Sequence, residues 1–330
     1  MMRRAVRPLQ LTLSAALLIL LYRENAIADV AATLALATPG PLLAACGLVL
    51  VMHGIVAWRL RLLVVAHGVS LAGSDALAVH LASMFYKLFV PGGSVGNVAV
   101  RILRLYREVG SRAGNLTVAV VVERISATAA LCVVGLACWA LAPPPLPQTL
   151  AIVITGCFAA VSVLSLILLT PASARLAYAL VERLDRATLS GWLEHGLFAV
   201  EPSRALPTSR ILLLVFLSLA VHVLGAAAFL CLASALAIPG DLFAWGLIRA
   251  AVILVTMMPV SVAGLGVRDI SLVYLLGFYG VGGDHALALA SLVFFVTVLF
   301  VALLGGVSEV LRALGIGSRS APAEAQKYRE

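Results

Sequence analysis

Two breaks rich in glycine and proline interrupt otherwise apolar sequence, one in each half of the chain, and charged residues follow each of them. Lipid offers no hydrogen-bond partners, so interrupted backbone at membrane depth is tolerated only inside protein or around a cavity. Paired interruptions of this kind are typical of the binding site of a transporter. We expect the helix-breaking residues to be Pro91, Gly92, Gly93 and Gly96 in the first break and Pro259, Ser261, Gly264 and Gly266 in the second.

The composition restricts the class of protein. Of the 330 residues, 62% are hydrophobic and only 12% are charged, which is typical of a helical membrane protein with several spans. The apolar runs are continuous, whereas the strands of a β-barrel would alternate apolar and polar residues. We therefore predict an all-α polytopic membrane protein. No polar stretch is long enough for a separate catalytic domain, so we do not expect an enzyme.

The net charge of +8 has a topological explanation. The arginines cluster in short loops between apolar segments, as the positive-inside rule predicts for cytoplasmic loops. This pattern argues against nucleic acid as a partner. The five cysteines lie in apolar segments without the spacing of metal ligands, so we expect neither a metal site nor a cofactor.

The apolar segments divide into full spans and shorter pieces. The arginines before the first apolar run resemble the start of a secretory signal, but we favour a retained first helix. Pieces of about 14 residues next to the two breaks are too short to cross a bilayer, which needs about 20 residues. We predict six full spans, at about residues 8–28, 41–58, 115–141, 149–170, 210–237 and 286–311.

The two short-piece regions are predicted to be re-entrant broken-helix hairpins. Basic residues flank residues 75–100 on both sides, so this hairpin should enter and leave the membrane on the cytoplasmic face. Residues 243–281 lie between Asp241 and Asp284 and should enter and leave on the outer face. The same rule places both chain termini in the cytoplasm.

The chain is thereby divided into two repeats of opposite orientation. The first repeat is residues 1–145 and the second is residues 146–315, which together give eight membrane segments arranged as an inverted repeat. Residues 172–209 alternate charged and apolar residues and are predicted to form an amphipathic segment on the cytoplasmic surface. Residues 316–330 are predicted to be a disordered tail.

Charged residues within membrane segments are costly and usually functional. Glu123 and Arg124 fall near the middle of the third full span. We expect Glu123 to pair with an arginine from a hairpin and Arg124 to pair with a phosphate or a carboxylate, although a purely structural ion pair also fits. Lys87 precedes the first break and either contacts a headgroup or extends to the interface.

Two charged residues begin the helix after the second break. The helix dipole does not stabilise a cation such as Arg268 at the start of a helix. The N–H groups of the first turn have no partner within the helix, so Arg268 and these groups together favour the binding of an anionic ligand. Asp269 is well placed to cap that helix. Arg101 has the same predicted role in the first half or is a cytoplasmic anchor, and Arg249 is a further candidate. We interpret His53 and His222 as core histidines with satisfied hydrogen bonds.

Four motifs carry a resemblance to a known family, namely Trp58-Arg59, Phe85 through Arg101, Glu123-Arg124 and Pro259 through Asp269. Over about residues 50–310 the chain resembles the lysylphosphatidylglycerol synthase transmembrane-region family, also called the flippase-like domain superfamily. The resemblance implies a domain that moves lipids across the bacterial cytoplasmic membrane, including aminoacylated phosphatidylglycerol, hopanoid-related and isoprenoid-linked lipids. It also implies a stand-alone member, without the aminoacyl-transfer domain of bifunctional relatives.

One position departs from the family pattern. Asn97 stands where family members often have an acidic residue, which argues against proton coupling there. The function predicted from the sequence is translocation of a lipid with an anionic or phosphate-bearing headgroup. The predicted substrate-binding residues are Lys87, Asn97, Arg101, Glu123, Arg124, Arg249, Arg268 and Asp269.

Two other functions fit parts of the sequence. A membrane glycosyltransferase, or an accessory subunit of a lipid-modifying enzyme, would use acidic residues in outer loops, and these loops offer mainly Asp29, Asp241 and Asp284. An intramembrane serine hydrolase would use Ser94, which lies in a G-x-S-x-G pattern, with a base such as His222. Neither lysine lies in a phosphate-binding loop, which argues against an ATP-driven pump.

Overall fold

The structure is a computed structural model that describes residues 27–89, 93–109, 113–169, 206–257 and 264–315. Within these ranges the fold is entirely helical and contains no strand. The helices are α1 Ile27–Ala35, α2 Pro39–Ala66, α3 Gly73–Tyr86, α4 Gly93–Val109, α5 Ala113–Leu141, α6 Gln148–Leu169, α7 Thr208–Ala235, α8 Leu242–Thr256, α9 Val267–Gly277, α10 Gly283–Phe294 and α11 Phe300–Ala313, with a π-helical segment Phe295–Leu299 joining the last two.

Several predictions fall outside the described residues. They concern the first span, which lies almost wholly outside them, most of the amphipathic segment 172–209, the tail 316–330, and the helix-breaking residues Pro91, Gly92, Pro259 and Ser261.

Five helices are long and apolar enough to cross a membrane: α2, α5, α6, α7 and the continuous rod formed by α10, the π-helical segment and α11. At about 1.5 Å per residue, the 28 residues of α2 extend for about 42 Å, more than the roughly 30 Å of a hydrocarbon core. The prediction of an all-helical polytopic membrane protein is confirmed.

The bounds of two elements differ from those predicted. The second span was expected to end at Trp58, but α2 continues to Ala66. Arg59, which we took for a flanking charge, is buried against Glu123, and the helix therefore has no reason to end there. The helix α4 begins at Gly93, so Gly93 and Gly96 are helical and the first break is narrower than predicted.

Four shorter helices form two broken segments, α3–α4 and α8–α9. Helix α3 has 14 residues and α8 has 15, so each extends for only about 21 to 23 Å. Asp241 caps α8, where its Oδ1 accepts a hydrogen bond from Ala244 N at 2.8 Å. The chain enters α9 through Gly264 and Gly266, whose φ angles of 81° and 80° are readily adopted only by glycine.

Helices α2 and α7 pack together as an antiparallel pair. The start of α2 lies at the end of α7, where Thr38 N donates to the Ala235 carbonyl at 2.9 Å. The two broken segments dock reciprocally. Helix α3 packs on α11 near the end of the chain, and α8 packs on α5 in the first half. Each half therefore covers the broken segment of the other.

Small residues permit these close contacts. A Cβ at Gly305 of α11 would overlap the carbonyl oxygen of Leu81 in α3, and a Cβ at Gly135 of α5 would overlap the ring of Phe158 and approach Ala250 of α8. Membrane helices rely on such small residues because lipid provides no hydrophobic force that drives helices together.

The buried apolar residues form two clusters. One contains Val49 of α2 and Leu131 of α5. The other contains Leu60 of α2 and Leu116 of α5. Between these positions, the same two helices carry buried charged and polar side chains. A polar layer thus separates the clusters along the bundle.

Candidate functional site

A cavity of about 270 Å³ lies in this polar layer. Helices from both halves of the chain and the π-helical segment contribute to its wall. Cations dominate its charged lining, and Glu123 is the only carboxylate among the described residues that line it. The lining cations are Arg59, Lys87, Arg101, Arg124, Arg249 and Arg268.

Glu123 on α5 holds two of these cations. Its Oε2 accepts a hydrogen bond from Arg101 Nη1 at 2.8 Å, and its Oε1 lies 3.6 Å from Arg59 Nη1. Arg59 also donates to the Glu123 carbonyl and to Ser126 Oγ. All three charged side chains are buried, and Arg59 is only 1% exposed. The predicted pairing of Glu123 with an arginine from the first broken segment is confirmed, and Arg101 is no cytoplasmic anchor.

Two buried histidines extend the contacts of Arg101. Its Nη2 lies 2.8 Å from His80 Nδ1, and His80 Nε2 lies 2.7 Å from His53 Nδ1. Both rings line the cavity. His53 Nε2 is buried and has no hydrogen-bond partner in the described part of the chain. Our interpretation of His53 as a fully satisfied core histidine is therefore wrong at this nitrogen.

The second half contains a related pair. Arg249 Nη1 on α8 lies 3.3 Å from His222 Nδ1 on α7, and His222 Nε2 lies 2.8 Å from the Ala127 carbonyl. An arginine can only donate, so His222 Nδ1 accepts and Nε2 donates. Both ring nitrogens of His222 are thus occupied, which leaves neither available to act as the base of a serine hydrolase. Gly225, one turn further along α7, leaves room for the Arg249 guanidinium.

Arg268 is held by its neighbour. Its Nε and Nη2 lie 2.9 and 2.5 Å from Asp269 Oδ1, and its guanidinium carbon lies 5.1 Å from the centroid of the Phe294 ring. The other oxygen of Asp269 accepts from Gly266 N at 2.9 Å. Asp269 therefore caps α9 and also orients Arg268. Arg268 Nη1 is buried and has no partner within the described ranges.

The remaining predicted site residues also reach the cavity. Lys87 follows the last turn of α3, and Arg124 follows Glu123 in α5. Asn97 on α4 is buried, and its Oδ1 lacks a partner among the described residues. The structure thus brings every predicted substrate-binding residue except Asp269 to one cavity, and Asp269 contacts it through Arg268.

Sequence reasoning missed Arg59 and His80, and it underrated His53, whereas His222 is the satisfied core histidine that was predicted. A signal was present, since 27 residues separate His53 from His80 and the same number separates His222 from Arg249. Each pair joins the long central helix of its half to the first helix of its broken segment. A polar residue at the same spacing in two apolar repeats indicates equivalent buried positions.

The chemistry of the lining favours an anion. The described lining carries six cations and one carboxylate, and buried charge is costly unless it is compensated, so the cavity favours a ligand that supplies negative charge. Arginine binds phosphate and carboxylate groups with its fork of N–H donors. Across the described ranges, no group of three or more His, Cys, Asp or Glu side chains is placed to hold a metal ion.

Comparison with known proteins gives one family. No curated protein matches the sequence at a significant level. The family described as "Lysylphosphatidylglycerol synthase TM region" matches residues 8–305, which include all the cavity-lining residues named above. A match over nearly the whole chain, together with a polytopic helical bundle, is sufficient for assignment: the chain belongs to the lysylphosphatidylglycerol synthase TM-region family.

Proposed function

We propose that the protein is a lipid translocase of the bacterial cytoplasmic membrane. Its cavity would bind the phosphate-bearing headgroup of an anionic lipid and move it between the leaflets, while the acyl chains stay in the bilayer. The observation that carries this proposal is a cavity lined by six cations and, among the described residues, one carboxylate, inside a bundle whose long helices are apolar enough to cross a membrane. Glu123 and Asp269 hold three of these cations, and the described lining still has an excess of positive charge that an anionic headgroup would offset.

The arginines of the cavity are arranged so that a ligand can bind to them and be released again. Arg59 and Arg101 are held by Glu123, and Arg268 is held by Asp269. These arginines are oriented before a ligand arrives, yet each keeps a buried N–H group that no described residue accepts from. A headgroup would gain these hydrogen bonds without displacing the ion pairs. Lys87 and Arg249 add charge without a salt bridge to any described carboxylate.

The packing supports two inverted repeats. Helices α2 and α7 both have 28 residues and lie antiparallel, as equivalent helices of opposite orientation would. The same number of residues separates His53 from His222 as separates His80 from Arg249. The exchange of contacts, α3 with α11 and α8 with α5, is the arrangement that a pseudo-two-fold axis in the membrane plane would produce.

The broken segments have features of re-entrant hairpins. Arg312, near the end of α11, forms ion pairs with Asp75 at the start of α3 and with Glu108 at the end of α4. The two ends of the first broken segment therefore meet at one end of the bundle. In the second broken segment, α8 and α9 pack against each other, as the two arms of a hairpin would.

Transport would require these segments to move against the long helices. We propose that α3–α4 and α8–α9 open in turn toward opposite faces, so that the cavity between them is exposed to one leaflet at a time. The π-helical segment beside the cavity supports such motion, because π-helical turns loosen a helix and are frequent at functional sites. Energy would come from a gradient of an ion or of the lipid itself.

The test is transport in reconstituted liposomes. The protein is inserted into vesicles that contain fluorescent phosphatidylglycerol, and movement between leaflets is followed by chemical quenching of the outer leaflet. Arg268→Ala should slow movement by about tenfold or more, because a charge-assisted hydrogen bond is worth about 1.5 to 3 kcal/mol. Arg107→Ala is the matched control, since Arg107 is exposed at the end of α4. Equal rates in both variants and the parent protein would refute the proposed site.

A further inference from the structure

The hydrogen-bond chain from Arg101 fixes the protons of two histidines. Arginine has only N–H donors, so the 2.8 Å contact makes His80 Nδ1 an acceptor. A neutral His80 then carries its proton on Nε2 and donates it across 2.7 Å to His53 Nδ1. His53 Nδ1 is therefore an acceptor as well, and the proton of His53 lies on Nε2. One charged residue thus sets the tautomer of two rings in series.

The end of this chain is an unused donor. His53 Nε2 is buried, it has no partner in the described ranges, and the ring of His53 is part of the cavity wall. The side chain as a whole is 8% exposed. Buried polar groups in native proteins are normally hydrogen-bonded, so an orphaned N–H beside a cavity points to a ligand that supplies the acceptor.

The second half of the chain shows that a histidine at this place in the fold can have partners at both ring nitrogens. His222 occupies the corresponding place on α7, with its Nδ1 accepting from Arg249 and its Nε2 donating to the Ala127 carbonyl at 2.8 Å. In the second half, a backbone carbonyl therefore accepts the last hydrogen bond of the series. In the first half, the same type of chain ends at Nε2 of His53, a residue of the cavity wall. The difference between the two halves lies in the last acceptor, which for His53 no described residue provides.

We infer that His53 Nε2–H is a headgroup-binding donor that hydrogen-bonds a phosphate oxygen in the cavity. The inference rests on the proposed function for its ligand class and adds a binding residue that carries no charge. Its single neutral donor adds one directional hydrogen bond to the charge-assisted bonds that the surrounding cations can form. Arg101 and His80 act as positioning residues, because they hold the His53 ring and its tautomer without themselves supplying this bond.

Two substitutions of His53 distinguish the loss of its hydrogen-bond donor from the loss of its ring. In His53→Gln the side-chain amide nitrogen occupies roughly the place of Nε2 and can still donate into the cavity. In His53→Asn the amide oxygen can take the place of Nδ1 and accept from His80, but the shorter side chain has no donor at the place of Nε2. Both variants are polar and similar in size, so a loss caused only by packing should affect them alike.

The experiment measures binding apart from transport. The full-length protein in detergent is titrated with dioctanoyl phosphatidylglycerol, with dioctanoylglycerol, which has no phosphate, and with inorganic phosphate. We expect His53→Asn to weaken binding of the phospholipid by about tenfold, with His53→Gln within about threefold of the parent protein. The phosphate-free lipid should not distinguish the variants. Saturation by inorganic phosphate alone would identify a free phosphate rather than a headgroup as the ligand.

The outcomes separate this inference from the proposed function. If the parent protein and His53→Asn bind the phospholipid equally well, the role of His53 is refuted even when liposome transport is intact. If binding depends on His53 as expected but the parent protein moves no lipid between leaflets, the translocase proposal is refuted, whereas the inferred role of His53 as a headgroup-binding donor is supported. Equal losses in both variants would show that His53 serves only the packing of the ring.

Nuclear magnetic resonance gives a readout that a packing role would not change. With ¹⁵N-labelled histidine, the coupling pattern of the His53 ring should be that of a neutral ring protonated at Nε2. Addition of dioctanoyl phosphatidylglycerol should shift the Nε2 proton downfield, as a new hydrogen bond forms. A ring protonated at Nδ1, or a spectrum unchanged at saturating phospholipid, would overturn the inference.

Discussion

Arg101 Nη1 and Glu123 Oε2 lie 2.8 Å apart in the buried polar layer, and this pair joins the first broken segment to a full span. Arg101 is on α4 and Glu123 is on α5. Because Glu123 also lies 3.6 Å from Arg59 on α2, one carboxylate ties three helices together. Glu123 therefore holds three helices of the site together, and we expect its removal to lower stability as well as binding.

We predict that Glu123→Ala lowers the free energy of unfolding by about 3 to 5 kcal/mol, because it leaves two buried arginines without their carboxylate. The measurement is thermal or denaturant unfolding in detergent. Glu108→Ala is the matched control: Glu108 pairs with Arg312 at a partly exposed end, where an ion pair is worth about 0 to 1 kcal/mol. Comparable losses in the two variants would contradict a structural role specific to Glu123.

Gly305 should be intolerant of a side chain. A Cβ there would overlap the Leu81 carbonyl oxygen, and backbone cannot move aside as a side-chain end can. We expect Gly305→Ala to destabilise the protein by about 1 to 3 kcal/mol through forced separation of α3 and α11. Gly54→Ala in α2 is the control, since a Cβ there meets no atom within 4 Å. Unchanged stability of Gly305→Ala would show that α3 and α11 lie further apart.

Many residues of the site could be predicted from the sequence, because charged residues are rare in apolar segments and are therefore easily recognised there. Lys87, Arg101, Glu123, Arg124 and the arginines of the second half stand out for that reason, and the Glu123 pairing with the first broken segment followed from the need to neutralise it. Charge alone also suggested where spans end, and this failed at Arg59. A buried arginine and a flanking arginine look alike until the partner is known.

The equal spacing in the two halves indicates which residues of the histidine chain are equivalent, but its hydrogen bonds could not be predicted from sequence. Each contact joins residues more than 20 positions apart, and α2 and α7 are apolar on all sides, so no periodicity indicates which face of these helices points inward. The tautomers follow only from distances between ring nitrogens. The number and approximate length of membrane helices can thus be predicted from the sequence, but the rotation of each helix about its own axis cannot.

Gly225 tests the second half of the site. A Cβ at this position would overlap the Arg249 guanidinium, which is the far end of a flexible side chain and can move. We therefore expect Gly225→Ala to displace Arg249 from His222 with little loss of stability, and to weaken phospholipid binding by about tenfold. The control is Gly156→Ala on α6, where a Cβ meets open space. Full binding by Gly225→Ala would exclude Arg249 from the ligand site.

The orientation of the two broken segments can be tested by cysteine labelling. With the five native cysteines replaced by alanine, single cysteines are introduced at exposed positions: Ser70 and Arg107 around α3–α4, and Pro239 and His285 around α8–α9. If each segment enters and leaves the membrane on one face, Ser70→Cys and Arg107→Cys should react together with a membrane-impermeant maleimide only after the cytoplasmic side is exposed.

Pro239→Cys and His285→Cys should then react together from the outside of intact cells. The physical basis is the length of α3 and α8, which at about 21 to 23 Å are each shorter than the hydrocarbon core of roughly 30 Å. Labelling of Ser70→Cys and Arg107→Cys from opposite sides would mean that α3–α4 crosses the membrane. The two halves could then not be inverted copies, and alternating opening of the broken segments would have no structural basis.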